Sequence, residues 1–315
     1  MKLQNLEAAN ARAEERRPYT KPGYTFRPVS VHDPVLHELK RAWPYYGWVE
    51  VQAHGGRSFL MWSANDDIVA AVYFWFGHDS FETLSLWIWN RLARRAHFVY
   101  DVGAYSGVFT LSAAQSNRDA RIVAFEPVPR TYWRLIDNVR ANRIGEQVEA
   151  RNCALTDRDG TSPIFIYRGH GTLDAGASLH AKSHPAIAQF AVDVTRLDTY
   201  FLENPERSLD LVKIDAEDAE VAVVQGMIDS VYRHRPHMLV EVATGISLRS
   251  IVEILEPLGY HFAVIDDLSL SVGVDDVNGI DSGLRNVLFT PRPPSRIERF
   301  CERSRISGQR AVRSD

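Results

Sequence analysis

The chain has 315 residues, of which 45% are hydrophobic, 24% charged and 10% aromatic. This composition is typical of a folded protein and excludes a disordered, collagen-like or low-complexity chain. With 36 basic and 40 acidic residues, the formal charge of −4 gives no electrostatic reason to expect nucleic acid or a membrane surface as the main partner. Two cysteines, Cys153 and Cys301, are too few for a disulfide framework or a cysteine-rich zinc site, which favours a reducing cytoplasmic location.

Residues 1–90 predict an N-terminal arm followed by an aromatic-rich β-hairpin and helical cap. The first 25 residues lack the apolar core of a secretory signal and predict a short helix that ends near Pro18. The segments WVEVQA and SFLMWS flank Gly55-Gly56, which predicts a hairpin. The aromatic side chains of this region could form a substrate wall or only the core of the cap, and exposed ones are compatible with a homodimer. The longest apolar run, residues 68–76, is too short to span a membrane.

From residue 97 onward, strand-like and helix-like segments alternate, which is typical of an α/β protein with a mostly parallel sheet covered by helices. The pattern predicts a core domain over residues 91–291. Strands are expected at 97–102, 121–127, 147–155, 162–167, 209–215, 237–242, 260–266 and 285–291, with helices at 108–116, 130–143, 219–227 and 247–259. Residues 292–315 carry seven arginines and predict a basic, solvated tail that is partly helical.

A glycine loop, Asp101 to Gly107, connects the first core strand to the first core helix. Gly103 permits a tight turn, and the loop lies where α/β sheets bind their ligands. A dinucleotide loop would have glycine where Tyr105 stands, and an acidic residue before the loop suits an ammonium group better than a diphosphate. The next strand ends in Glu126, whose carboxylate can accept hydrogen bonds from ribose hydroxyls. These features favour S-adenosylmethionine, which has an ammonium group and no phosphate, over NAD.

A second acidic cluster follows the strand LVKID. Asp215 ends that strand, Glu217, Asp218 and Glu220 come directly after it, and the neighbouring strand ends in Glu241. Such carboxylates could bind the methionine ammonium, activate a substrate hydroxyl or hold a divalent cation. Capping of the following helix explains Asp218 and Glu220 equally well. For Asp215, Glu217 and Glu241 a functional role is favoured.

Five segments, in this order, resemble the FkbM family of S-adenosylmethionine-dependent methyltransferases. They are FVYDVGAYSGVFTLSAA, IVAFEPVPRTYWRLIDNVRAN, CALTDRDG, VTRLDTYF and LVKIDAEDAEVAVVQGM. The resemblance covers roughly residues 60–290. It implies a Rossmann-like class I methyltransferase fold with a seven-stranded, mostly parallel sheet, helices on both faces and one antiparallel strand near the edge. It also implies O-methylation of hydroxyls on sugars, polyketides or other secondary metabolites.

The resemblance further implies which residues contact the cofactor. Asp101, Gly103 and Gly107 would line its methionine end, Glu126 would hold the ribose, and Glu82 matches an acidic family position nearby. The expected set is Glu82, Asp101, Gly103, Ala104, Tyr105, Gly107, Glu126, Pro127, Ala154, Leu155, Asp157 and Asp215, with Ala154, Leu155 and Asp157 near the adenine. One departure is Asp218, which stands where the family usually has glycine.

Methyl transfer to an alkyl hydroxyl requires a group that takes up the hydroxyl proton. Asp215, Glu241 and His180 are the candidate catalytic residues. His180 lies with His170 and His184 in the loose segment 167–186, whose length suggests a lid. No spacing typical of a dedicated metal site stands out, so no metal is predicted, although Asp215, Glu217 and Glu241 could bind Mg²⁺. The alternatives to a methyltransferase are a nicotinamide-dependent oxidoreductase and a non-catalytic module that binds the cofactor.

Overall fold

The computed structural model describes residues 3–24, 26–52, 57–167, 173–276 and 285–312. The strands of this part are β1 (Tyr46–Gln52), β2 (Ser58–Ala64), β3 (Phe98–Val102), β4 (Arg121–Phe125), β5 (Val148–Arg151), β6 (Ala154–Leu155), β7 (Gly160–Ile166), β8 (Ala188–Thr195), β9 (Leu211–Ile214), β10 (His237–Val242), β11 (His261–Asp266), β12 (Ser271–Val274) and β13 (Arg285–Thr290). The helices are α1 (Leu3–Glu15), α2 (Pro34–Ala42), α3 (Ile68–Phe76), α4 (Thr83–Ala93), α5 (Val108–Ser116), α6 (Pro129–Ala141), α7 (Leu197–Glu203), α8 (Glu220–Gln225), α9 (Ile228–His234), α10 (Gly245–Leu255) and α11 (Pro294–Val312).

The central sheet has the strand order β12-β11-β13-β10-β9-β3-β4-β5. Strands β5, β4, β3, β9 and β10 are parallel to one another, and β13 runs antiparallel between β10 and β11. The expected mostly parallel sheet with an antiparallel strand near one edge is therefore present, but the described sheet has eight strands rather than seven. The additional strand is β12, which pairs antiparallel with β11 at the edge. Its sequence, SVGV, is too short and too mixed for a pattern to indicate a strand.

The predicted strand at 147–155 divides into two. Its first half, β5, ends the central sheet, whereas β6 pairs with β8 in a separate three-stranded sheet of order β6-β8-β7. Between them, the Asn152 side chain donates to the carbonyl oxygens of Glu126 and Pro127, which fixes the chain where it leaves the sheet. The predicted strand at 162–167 is present as β7, but its partner is β8, a strand that was not predicted.

Helices cover both faces of the central sheet. One face packs against α4, α5 and α6 through side chains such as Leu211 and Leu239, and the other packs against α8, α9 and α10 through Val212 and Val240. Side chains alternate along a strand, so each strand contributes to both cores. The same alternation decides which polar side chains at the strand ends reach a common side of the sheet.

The N-terminal hairpin β1–β2 packs against α6 through two asparagines. Asn138 Oδ1 accepts a hydrogen bond from Trp62 N, and its Nδ2 donates to Ser106 O in the glycine loop. Asn142 exchanges two hydrogen bonds with the backbone of Leu60. These carboxamides form hydrogen bonds with the backbone groups at the edge of β2, as a neighbouring strand would. The hairpin is thereby fastened to the core close to the glycine loop.

The spacing of apolar residues over 130–143 predicts that Trp133 faces inward and Arg134 outward, and the structure corrects both predictions. Trp133, expected to face inward, is 57% exposed. Arg134, expected to face outward, lies against the hairpin, where its guanidinium is 3.0 Å from the Asp66 carboxylate. The prediction assumed that α6 packs only on the sheet. In the structure the β1–β2 hairpin is a second, polar partner of this helix.

The aromatic residues of the cap mostly form a core. Trp75, Trp87 and Trp89 are fully buried, and the apolar run 68–76 is the buried helix α3. The domain boundary expected at residues 90–91 falls inside α4. The turn at Gly55-Gly56 lies outside the described residues.

The basic C-terminal segment is a helix rather than a wholly solvated tail. Ile297 and Cys301 of α11 are buried, and α11 packs along α4. Neither Cys301 nor the partly buried Cys153 forms a disulfide. Among the described residues, no helix combines the length and apolar character needed to cross a membrane.

Candidate active site

A cavity of about 660 Å³ lies at the carboxyl ends of the central strands. Most of the expected cofactor and catalytic residues line it: Glu82, Asp101, Gly103, Ala104, Tyr105, Glu126, Pro127, Ala154, Leu155, Asp215 and Glu241. Ligand cavities typically have volumes of about 300–1,000 Å³. The cavity therefore has room for a nucleoside cofactor with a small acceptor beside it.

Three expected residues do not line the cavity. Gly107 adopts a left-handed φ of 99° and packs against α6, where an added Cβ would lie 2.5 Å from Leu135 Cδ1. Asp157 is exposed outside the cavity and lies near Arg158. The His180 side chain is also exposed, and its backbone oxygen accepts a hydrogen bond from the Tyr167 hydroxyl. The structure thus gives Gly107 a packing role and places Asp157 and His180 outside the cavity lining.

The glycine loop is held by the backbone of the neighbouring strand. The N–H groups of Gly103 and Ala104 both donate to Phe125 O. Gly103 has a φ of 76°, and an added Cβ would lie 1.7 Å from Asp215 O. Only glycine allows β3 and β9 to approach this closely at the loop, because a Cβ would overlap backbone.

Asp101 begins the loop as a buried carboxylate. Its Oδ2 accepts hydrogen bonds from both the backbone N and the hydroxyl of Thr110 in α5. Burial raises the pKa of Asp101 to about 6, although these hydrogen bonds and the Lys213 ammonium lower it. A nearby cation would favour the charged form, which fits the expected contact with the cofactor's ammonium group.

Glu126 is oriented by two backbone groups. Its Oε2 accepts from Tyr105 N at 2.9 Å and its Oε1 from Val128 N at 2.9 Å. Burial raises the pKa of Glu126 to about 8 despite these bonds. Each carboxylate oxygen keeps a second acceptor position, so a pair of ribose hydroxyls can bind to it.

At pH 9, where the native Glu126 carboxyl is ionised, the Glu126→Gln variant should bind S-adenosylhomocysteine at least about tenfold more weakly, because hydrogen bonds to a charged group contribute about 1.5–3 kcal/mol. Without ligand, the variant should gain stability relative to the native chain as the pH rises from 5 to 9. The folded chain holds the Glu126 proton more tightly than the unfolded chain, so the native carboxyl loses its stabilising contribution as the pH passes through about 8. Calorimetric titration and melting curves across this pH range measure both effects.

The exposed Glu146 provides the matched control. Glu146→Gln should leave the ligand affinity unchanged. A Glu126→Gln variant with native affinity would contradict the ribose assignment.

Three carboxylates from separate segments meet beside the loop. Single carboxylate oxygens of Glu82, Asp215 and Glu241 all lie within 4.8 Å of one another. Burial raises the pKa of Glu82 to about 7. Burial, with Asp215 beside it, raises the pKa of Glu241 well above its usual range. The expected convergence of Asp215 and Glu241 over one cleft is therefore present, and Glu82 joins them from the start of α4.

The remaining acids of the second cluster have local roles. Glu220 Oε1 accepts hydrogen bonds from the backbone N of Ala216 and Asp218, so it fixes the loop before α8 rather than capping the helix. Asp218 has a left-handed φ of 79°. This conformation explains why glycine would suit the position. Glu217 forms an ion pair with Lys182 at 3.1 Å on the cavity wall.

The loose segment supplies part of the cavity wall. Its Asp174, Ala177 and Leu179 line the cavity, and the Ser178 hydroxyl donates to Glu217 O at 2.6 Å. His184 is exposed and packs against Tyr167, and His170 lies outside the described residues. Among the described residues, the histidines on the cavity wall are instead His32 and His37 of the N-terminal cap.

Sequence reasoning missed Lys213 as well. This lysine is fully buried in β9, and its Nζ lies 3.3 Å from Asp215 Oδ2. Burial alone would lower the pKa of Lys213, but Asp215, Glu82 and Glu241 together raise it above its usual range. A signal was present, because a lysine inside an apolar strand is rarely buried without a partner.

Comparisons with known proteins agree with this site. The family model of the FkbM methyltransferase domain matches residues 101–262, slightly more than half of the chain. Methyltransferase 1 of Beauveria bassiana is 27% identical over 183 residues, which cover 53% of this chain and 73% of that protein. The 31-O-demethyl-FK506 methyltransferase FkbM of Streptomyces tacrolimicus is 25% identical over 199 residues, covering 55% and 75% respectively.

Among solved structures, the methyltransferase FkbM from Methylobacillus flagellatus is 14% identical with a TM-score of 0.42. The match covers 62% of this chain and 43% of that one, a likeness too distant to bear on the site. The family match covers the glycine loop, Glu126, and the strands that carry Lys213, Asp215 and Glu241. The chain belongs to the FkbM methyltransferase family and is an S-adenosylmethionine-dependent methyltransferase of the class I fold.

Proposed function

We propose that this enzyme transfers a methyl group to a hydroxyl of a small polar metabolite, sugar or natural product. The observation that carries the proposal is the pair Asp215 and Glu241 at the ends of β9 and β10, beside the cofactor loop. S-adenosylmethionine supplies an already activated methyl group. What the chain must add is a positioned acceptor and a place for the acceptor's proton.

The hydrogen bonding between Asp215 and Glu241 suits a hydroxyl acceptor. The raised pKa of Glu241 and its hydrogen bond to Asp215 favour a protonated Glu241 that donates to the Asp215 carboxylate. The Lys213 ammonium, 3.3 Å from Asp215 Oδ2, stabilises that negative charge. Asp215 can then accept the hydroxyl proton as the new bond forms. A neutral amine needs no such base to act as a nucleophile, whereas an alkyl hydroxyl is a poor nucleophile without one.

Cavity size and relatives point to a small acceptor. The cofactor must share about 660 Å³ with the acceptor, which favours a small acceptor group. One relative is named as a methyltransferase of 31-O-demethyl-FK506, a name that describes an oxygen-centred acceptor. The family match favours methyl transfer over the alternative of a nicotinamide-dependent oxidoreductase.

The test is methyl transfer from trideuteromethyl-labelled S-adenosylmethionine to a panel of hydroxyl-bearing sugars and metabolites. Mass spectrometry should show a labelled product, and NMR should place the methyl group on oxygen. A product labelled on nitrogen or carbon would overturn the proposal. Tight cofactor binding without transfer to any acceptor, including a cell extract of small molecules, would instead support the non-catalytic module.

A further inference from the structure

A buried ammonium group lies among the acids of the active site. The Lys213 Nζ is 3.3 Å from Asp215 Oδ2, and the carboxylates of Glu82, Glu241 and Asp101 also act on it electrostatically. On its apolar side, Nζ lies 4.9 Å from the centroid of the Phe109 ring, within the range of a cation–π contact. The side chain is therefore paired with acids on one side and covered by an aromatic ring on the other.

The strand register explains why these groups share one face of the sheet. Lys213 lies opposite Asp101 of β3 and opposite Leu239 of β10, two residues before Glu241. Because side chains alternate, Lys213, Asp215 and Glu241 lie on the same face as Asp101. The first turn of α4, which follows Glu82, and Phe109 of α5 cover this face.

The acid cluster has the dimensions of a divalent cation site. Carboxylate oxygens of Glu82, Asp215 and Glu241 lie within 4.8 Å of one another, close to the spacing that the ligands of one divalent cation adopt. Carboxylates this close cannot all ionise without a compensating cation or protons. Lys213 supplies such a cation from within the chain, and Asn286 Nδ2 adds a hydrogen bond to Glu82 Oε2 at 2.8 Å.

We propose that Lys213 is a positioning residue whose ammonium takes the place of a divalent metal ion, holding Asp215 and Glu241 beside the acceptor. Methyl transfer then requires no added metal. Lys213 touches neither the acceptor nor the transferred methyl group in this role, because it acts through Asp215. The kinetic part of this inference rests on the proposed function, whereas the metal-binding part does not.

Metal binding tests the proposal without any acceptor. The native enzyme, saturated with S-adenosylhomocysteine, should bind no Mn²⁺ in the cavity when followed by electron paramagnetic resonance. Lys213→Met removes the charge at similar length and should create one Mn²⁺ site, which the double variant Lys213→Met/Asp215→Asn should lose again. Lys213→Arg is the matched control, and because it keeps the charge it should bind no Mn²⁺. Specific binding to the native enzyme, or a folded Lys213→Met variant that binds none, would overturn the proposal.

The pH profile separates positioning from a merely structural role. The titratable groups that face Lys213 are Glu82, Asp101, Asp215, Glu241 and, near Glu82, Asp267. Loss of the ammonium raises the pKa of nearby carboxyls, so the acidic limb of kcat/KM should move up by about one pH unit in Lys213→Met. It should stay in place in Lys213→Arg. An activity loss in Lys213→Met that is equal at every pH would contradict the proposal.

A third measurement needs only the native protein and stays valid if Lys213→Met does not fold. Methyl transfer should proceed at the same rate after treatment with EDTA and after addition of Mg²⁺. A loss on chelation that Mg²⁺ restores would refute the role of Lys213 as the cation. If the acceptor group proves not to be a hydroxyl, the Mn²⁺ result still decides the role of Lys213.

Discussion

Replacement of Asp215 by asparagine is expected to lower kcat for methyl transfer by about 10²–10⁴-fold, the range that a positioned general base contributes. The amide keeps the size of the carboxylate but cannot accept the acceptor's proton. The affinity for S-adenosylhomocysteine should change by less than about tenfold, since Asp101 and Glu126 keep their positions in the loop. Single-turnover kinetics and calorimetric titration measure the two effects separately.

Asp119→Asn serves as the control, because Asp119 is exposed on the turn before β4, outside the cavity. It should have native kinetics. If Asp215→Asn lost cofactor affinity in proportion to its activity, Asp215 would be a cofactor ligand rather than the base. Glu241→Gln should show a smaller loss than Asp215→Asn, because Glu241 acts as a hydrogen-bond donor that an amide can replace.

Replacement of Gly103 by alanine is expected to have the largest effect on stability. The new Cβ would lie 1.7 Å from Asp215 O, and the φ of 76° is unfavourable for alanine. Neither strand can move without breaking the sheet, so the free energy of unfolding should fall by about 3–5 kcal/mol, the range of severe substitutions. Binding of S-adenosylhomocysteine should be lost as well, because the loop carries the backbone of Ala104 and Tyr105 into the cavity.

Gly145→Ala is the matched control for this variant. No atom lies within 4 Å of the added Cβ at Gly145, and its φ is not left-handed. Its unfolding free energy should stay within about 0.5 kcal/mol of the native value, as for ordinary surface substitutions. Chemical denaturation of the three proteins provides the comparison. A Gly103→Ala variant with native stability and affinity would contradict the close approach of β3 and β9.

Much of the core could be predicted because its signals are local. The strand ending in Asp101, the glycine at 103 and the strand ending in Glu126 follow from apolar runs and turn chemistry within a few residues. The five family segments add the family and, with it, the expectation of a mostly parallel sheet with one antiparallel strand. Strand β12 escaped prediction because its four-residue pattern is too short and too mixed to distinguish from a loop. Strand β8 was missed although Phe190, Val192 and Val194 alternate with polar or small residues along it, which was a usable signal.

The catalytic candidates were only partly predictable. Asp215 and Glu241 were predicted because acids at the ends of adjacent parallel strands must converge. His180 was not brought to the cavity, because the direction of a side chain in an irregular segment depends on contacts such as that of its backbone oxygen with Tyr167. His32 and His37 reach the cavity from far away in the sequence, and no local pattern connects them to it.

The amino-acid composition determined that this near-neutral, cysteine-poor chain folds. Its motifs determined the family, the cofactor loop and the acids Asp215 and Glu241. Only the tertiary structure decided which group compensates the negative charge of those acids. Alternation along β9 places Lys213 and Asp215 on one face, and the register with β3 and β10 brings Asp101 and Glu241 to the same place. A buried ammonium among carboxylates is a property of several segments at once, because charges interact through space rather than along the chain.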